Sequence, residues 1–164
     1  MSSPEIRVYD YVNHPYVKVR GALVADAPGI FRAATRVAAD RARSVAAELR
    51  VSVAGVDVAK EIVFTMGTIE DVASGPHGGP TTRIPVSWEA AKNPRFFPLM
   101  TSVLEIYPLT ATETQLDFFG QYDPPLGAVG DAMDALVGHR IAEASVHRFI
   151  TDVARYLREH LATA

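Results

Sequence analysis

Apolar and polar positions alternate with period two from Glu5 to Val12, where Ile6 and Val8 stand against Arg7 and Tyr9, and this predicts a first strand. His14-Pro15 ends it. With Asn13 as cap and Pro15 at the first helical position, a short helix follows in which Val19 and Leu23 fall four apart, and Asp26-Ala27-Pro28-Gly29 breaks it. Ile30 to Leu49 is rich in Ala and Arg, with Phe31, Ala34, Val37 and Ala38 on one face, so a second helix is predicted. Period two then returns. Leu49, Val51 and Val53 alternate with Arg50 and Ser52, and Val58 to Val72 reads as one long strand through Ile62, Phe64 and Met66.

Ser74-Gly75-Pro76-His77-Gly78-Gly79-Pro80 has the composition of a loop between antiparallel strands. A phosphate cradle would need a following helix, and Thr81 to Ala90 has a strand pattern instead, with Ile84, Val86 and Trp88 on one face and Arg83, Ser87 and Glu89 on the other. Leu99–Leu109 and Thr112–Tyr122 are predicted to form a hairpin through Thr110-Ala111-Thr112. The chain closes on a long amphipathic helix, with Asp123 as cap and Pro124 at the first helical position. Unbroken from Leu126 to Ala162, that helix would be about 55 Å long. A compact chain of this size is about 40 Å across. Val129, Met133, Leu136 and Val137 lie to one side of a second cluster, Val146, Ile150, Val153 and Leu157, so Gly130 and Gly138 are the expected break points. Helices inserted after one strand, then consecutive strands, then a helix, define an α+β chain rather than a parallel βαβ sheet.

Composition narrows the chemistry. At 164 residues and 48% hydrophobic content, residues 1–164 suffice for one domain with its own core. With no cysteine there is no disulfide, thiol nucleophile or thiolate metal site. A net charge of −3 with dispersed signs offers no basic stripe for nucleic acid. No run approaches the length of a membrane span and the N-terminus has no leader pattern, so a cytoplasmic protein is expected.

The chain resembles the START-like (SRPBCC) superfamily of polyketide cyclases, lipid-transfer domains and pollen-allergen-like proteins, and most closely its uncharacterised bacterial members. The resemblance is carried by Ile84-Pro85-Val86-Ser87-Trp88-Glu89-Ala90, Phe97-Pro98-Leu99-Met100, Tyr122-Asp123-Pro124-Pro125-Leu126-Gly127, His139-Arg140-Ile141-Ala142-Glu143-Ala144 and the weaker Tyr11-Val12-Asn13-His14-Pro15-Tyr16. It implies a helix-grip fold, in which a curved antiparallel sheet of six to seven strands wraps a long C-terminal helix, with two short helices after the first strand. It also implies a central apolar cavity for a bulky small molecule, and no universal catalytic residue. The expected lining is Phe64, Met66, Trp88, Leu104, Phe118, Tyr122, Met133 and Val137. Arg95-Phe96-Phe97-Pro98 and the Ser74–Pro80 loop are expected to border its entrance, and the exposed aromatics there could alternatively form a homodimer contact.

Candidate acid–base groups are His139, Glu105, Tyr107 and Asp117, because a proton donor inside an apolar pocket has its ionisation tuned by burial. Strand alternation sets Glu105 and Asp117 opposite Leu104, Ile106, Leu116 and Phe118, so both carboxylates are expected to face solvent. His139, Glu143 and His147 follow at steps of four, but the outer two are about 12 Å apart, too far for one ion, and Glu143 is expected to pair with Arg140 or His147. No metal and no cofactor are expected. Three functions fit: a carrier of a hydrophobic or amphipathic small molecule, a cyclase or dehydratase using a cavity acid or base, and an interaction module that binds protein through strand edges or aromatic loops.

Overall fold

The computed structural model describes residues 5–48, 62–90, 99–123 and 132–162. Strand β1 (Glu5–Val12) leads into helices α1 (Tyr16–Ala25) and α2 (Ala27–Glu48). Strands β2 (Ile62–Met66), β3 (Glu70–Val72), β4 (Thr81–Ala90), β5 (Leu99–Thr110) and β6 (Glu113–Asp123) follow, and α3 (Ala132–Ala162) closes the chain. The six strands form one antiparallel sheet in the order β1-β6-β5-β4-β2, with β3 also paired to β4. The first strand thus lies beside the last, and the helices cover a single face. This is the helix-grip α+β arrangement. The predicted Leu49–Val53 strand lies outside the described residues, and α2 spans 22 residues.

Several boundaries differ from the sequence pattern for local physical reasons. Pro15, not Asn13, is the N-cap of α1, and its carbonyl accepts from the amides of Lys18 and Val19. The break between α1 and α2 is the single residue Asp26, whose carbonyl already accepts from Ile30 N at 3.0 Å. Pro28 is accommodated because first-turn amides have no intrahelical partner to lose. The predicted Val58–Val72 strand is two strands. Met66 pairs with Val86 and Glu70 with Arg83, so four steps on one side meet three on the other, an added residue that marks a bulge. The interruption falls opposite Pro85, which has no amide to offer, and Gly67 N donates to Pro85 O at 2.9 Å. A Cβ on Gly67 would sit 2.9 Å from the Pro85 ring.

Helix α3 runs through Gly138 without interruption, contrary to the expected break, and Gly130 lies outside the described residues. At 31 residues it is about 46 Å long. Asp123 is the last residue of β6, and the predicted helix start at Pro124 lies outside the described residues. No helix of the described residues is long and apolar enough to cross a membrane.

The core lies between α3 and the inner sheet face. Ile84, Val86 and Trp88 of β4, Leu104 and Ile106 of β5, and Leu116, Phe118 and Tyr122 of β6 are buried there, as alternation requires. Val146, Phe149, Ile150, Val153 and Leu157 meet them from α3. Phe149 sits at the centre, with ring centroids 5.2 Å from Trp88, 5.4 Å from Phe118 and 5.8 Å from Phe31. α1 is fastened to the sheet by Arg20, which donates to both oxygens of Asp71, while Thr82 donates to Asp71 Oδ1 at 2.7 Å. These bonds, from Arg20 first and then Thr82, hold the Asp71 carboxyl down at about 2. A depressed carboxyl stabilises the fold above its unfolded value of about 3.8 and loses that contribution as pH falls through about 2. Asp71→Asn is therefore expected to flatten the fall in urea-midpoint stability over that window, and a profile identical to wild type would disprove the link.

Candidate functional site

The sequence-predicted site residues fall on opposite faces of the sheet. Trp88, Leu104, Phe118 and Tyr122 belong to the inner face and are buried, while Phe64 and Met66 on β2 pack half-buried against the same core. Met133 and Val137 lie on α3, but their side chains are outside the described residues, as is the Arg95–Pro98 segment. His139 joins the inner group. The last turn of β6 brings Tyr122 to the N-terminal part of α3, and the phenol oxygen lies 2.7 Å from His139 Nδ1. Glu143, one turn along α3, lies 3.5 Å from His139 Nε2. It faces His139, not Arg140 or His147 as the spacing suggested.

A neutral imidazole protonated on Nε2 satisfies both contacts, the phenol O–H donating to Nδ1 and the Nε2–H directed at Glu143. Burial first, and the Glu143 charge second, raise the Tyr122 phenol above its ordinary value. Tyr122 is 2% exposed, whereas the side chains of His139 and Glu143 are 41% and 64% exposed. One hydrogen bond and one looser charge contact thus link solvent to a hydroxyl at the edge of the buried core. Chemically it can orient a polar ligand group or pass a proton.

Glu105 and Tyr107 project from the outer face, as alternation predicts, but the expectation that Glu105 and Asp117 face solvent is overturned. Glu105 is 6% exposed, Asp117 0% and Tyr107 8%. The cover comes from side chains that no local pattern identifies. Arg7 of β1 donates to both oxygens of Asp117 at 3.2 and 2.8 Å, and Arg83 of β4 approaches Glu105 at 3.3 Å. His77 reaches Glu105 at 3.5 Å while its ring stacks on Tyr107 at 3.7 Å. The Ser74–Pro80 loop carrying His77 is therefore folded over the outer face rather than bordering the entrance to an inner cavity. Its path depends on Gly78, at φ 83°, and on Gly75 N donating to Gly79 O at 2.8 Å.

Glu105 and Asp117 are direct cross-strand partners, a like-charge pair that is unfavourable unless neutralised. Two guanidinium groups provide that neutralisation. Arg7 is held even further into its charged range by the bonds to Asp117, and burial first, then Asp117, raises the Tyr107 phenol. Ligating atoms of His77, Glu105 and Asp117 lie within 4.8 Å of one another. The guanidinium groups occupy the same carboxylates and would repel a divalent cation, so the chemistry of the set fits a charge-compensated clamp rather than a metal centre. A ligand held between sheet and helix does not reach these residues.

Among the described residues, two open clefts border this framework. The larger, about 1050 Å³, lies between β1 and α3 and is floored by His139. The smaller, about 600 Å³, lies on the outer face beside His77 and Glu105.

No family model matches the chain, and no curated protein matches it in sequence. Solved structures do resemble it in fold. They include a Thermus thermophilus protein at 15% identity and TM-score 0.46, covering 98% of this chain and 99% of that one. A conserved protein from Geobacillus kaustophilus stands at 11% and 0.44, over 95% and 96%, and a Streptomyces aromatase/cyclase at 12% and 0.43, over 96% and 92%. The helix-grip assignment itself rests on strand order and helix placement: β1 beside β6, two helices inserted after β1, and α3 laid across the inner face.

Proposed function

We infer that the chain binds a hydrophobic or amphipathic small molecule between the inner sheet face and α3, with its polar end at the Tyr122–His139 pair. The observation that supports this reading is the placement of one solvent-linked hydrogen-bonding couple against an otherwise apolar wall. Binding sites of this kind are mostly apolar, with a few fixed polar groups that set orientation. Phe149 packs on Trp88 and Phe118, so a ligand gains apolar contact with these two and Leu104 by displacing that ring. Phe64, Met66, Met133 and Val137 complete the proposed lining, and no cofactor is part of the proposal.

Trp88 is the only tryptophan and so reports directly on occupancy. Titration with a panel of fatty acids and polycyclic aromatic acids is expected to shift Trp88 emission saturably for at least one class. Tyr122→Phe is expected to weaken that binding about tenfold, the value of one buried hydrogen bond to a ligand. Unchanged affinity would remove Tyr122 from the site.

The Tyr122–His139–Glu143 chain also favours a catalytic reading, in which the same site performs acid–base chemistry of the cyclase or dehydratase kind on a bound polyketide or aromatic substrate. His139→Gln separates the two. A carrier retains its ligand with this variant, whereas an enzyme loses turnover while still binding.

A further inference from the structure

β1 is the edge strand of the sheet, and its backbone groups point alternately toward β6 and away from it. Tyr11 shows which set points away. Its N–H donates to Asp10 Oδ1 at 2.7 Å and its carbonyl accepts from Arg158 at 2.6 Å, so neither group serves the ladder with β6. By the same period Arg7 and Tyr9 present their N–H and C=O groups to the free edge, and no partner for them is found among the described residues. Arg158 and Asp10 therefore finish one end of the edge. Among the described residues, the stretch from Glu5 to Tyr9 is left open as a pairing template.

That open stretch forms one wall of the 1050 Å³ cleft, and α3 forms the other. The helix wall carries Arg140, His147 and Arg148, all exposed and without an ion-pair partner among the described residues. The acidic lining residues are Glu5 and Glu143, and Glu143 is turned onto His139, just as the Arg7 guanidinium is turned onto Asp117. A cationic groove thus lies on a chain whose net charge is −3. Arg140 and Arg148 are eight residues apart, about 12 Å along the helix. In an extended strand, side chains on one face at positions i and i+4 are about 13 Å apart. A single small anion cannot span that distance.

We propose that the groove between β1 and α3 binds an extended acidic peptide segment of a partner protein, which adds to the sheet as a strand along Glu5–Tyr9 and sets acidic side chains against Arg140, His147 and Arg148. Main-chain bonds to Arg7 and Tyr9 supply affinity, and the cations select for charge. The groove shares His139 and Glu143 with the polar end of the small-molecule site, but its affinity comes from the β1 edge and the α3 cations, so its failure leaves that inference standing.

The test is selection of random decapeptides displayed on phage against the full chain, followed by anisotropy measurements on the best synthetic peptide. Enrichment of acidic residues at alternate positions is expected. N-methylation of alternate peptide amides is expected to abolish binding, and the double variant Arg140→Glu/Arg148→Glu to weaken it at least about tenfold. Tyr9→Pro removes the ring under the Arg7 guanidinium, as Tyr9→Ala does, and from the backbone only an N–H that the ladder does not use. It is therefore expected to match Tyr9→Ala in melting temperature while, unlike Tyr9→Ala, blocking the peptide. The proposal is overturned if neutral or basic peptides are enriched, if main-chain methylation has no effect, or if free glutamate competes as strongly as the peptide. It is equally overturned if light scattering finds a dimer in which the Arg7 and Tyr9 amides are already protected from exchange.

Discussion

Phe118→Ala is expected to destabilise the protein by about 3–5 kcal/mol, the range for emptying a fully enclosed aromatic position. Phe118 is 0% exposed and its ring lies 5.9 Å from Trp88 and 5.4 Å from Phe149, so the void opens where strands β4 and β6 meet α3. Those neighbours belong to two separate elements, β4 and α3, and cannot both close on the gap together. Phe119, the next residue, supplies the control. It faces outward, half-buried, with the Arg7 guanidinium 5.5 Å from its ring centroid, and Phe119→Ala is expected to cost less than about 1.5 kcal/mol. Urea denaturation of both variants checks the pair. Equal losses would mean that the inner and outer faces are misassigned.

The second large effect comes from the opposite face. Arg7→Met is expected to cost about 3 kcal/mol, because it leaves the Asp117 carboxylate buried, unpaired and directly across from Glu105. Asp117→Asn is expected to cost less. The Arg7 side chain is 52% exposed and can turn to water once its partner is gone, whereas Asp117 has no such exit. The double variant should therefore be more stable than the sum of the two losses by at least about 1 kcal/mol, as found for residues sharing one ion pair. Strict additivity in a denaturation cycle would show that the bidentate contact contributes nothing.

These two positions also mark what could be read from the sequence. Alternation along β4, β5 and β6 identifies the inward set Ile84, Val86, Trp88, Leu104, Ile106, Leu116 and Phe118, because strand period and burial reinforce each other. It identifies equally which way Glu105 and Asp117 point. It does not reveal that they are buried, since their cover comes from Arg7, 110 residues away from Asp117, and from a loop whose path is set by turn glycines. The β2–β3 break has a visible signal in Gly67 and Pro85, but only the register makes them opposite. Phe149 is missing from the apolar stripe read on α3, which is Val146, Ile150, Val153 and Leu157, and nothing in the sequence marks it as the centre of an aromatic cluster. The Tyr122–His139 bond joins two motifs 17 residues apart, and their contact follows from the return of α3 over the end of β6.

Occupancy of the space between sheet and helix is measured most directly by native mass spectrometry of the protein purified from its own host, with solvent extraction and identification of whatever is released. A stoichiometric apolar or amphipathic adduct is expected, retained by Arg140→Glu/Arg148→Glu protein and diminished in Tyr122→Phe. An empty spectrum, together with unchanged Trp88 emission and no thermal shift across lipid and aromatic panels, would contradict small-molecule binding by this chain.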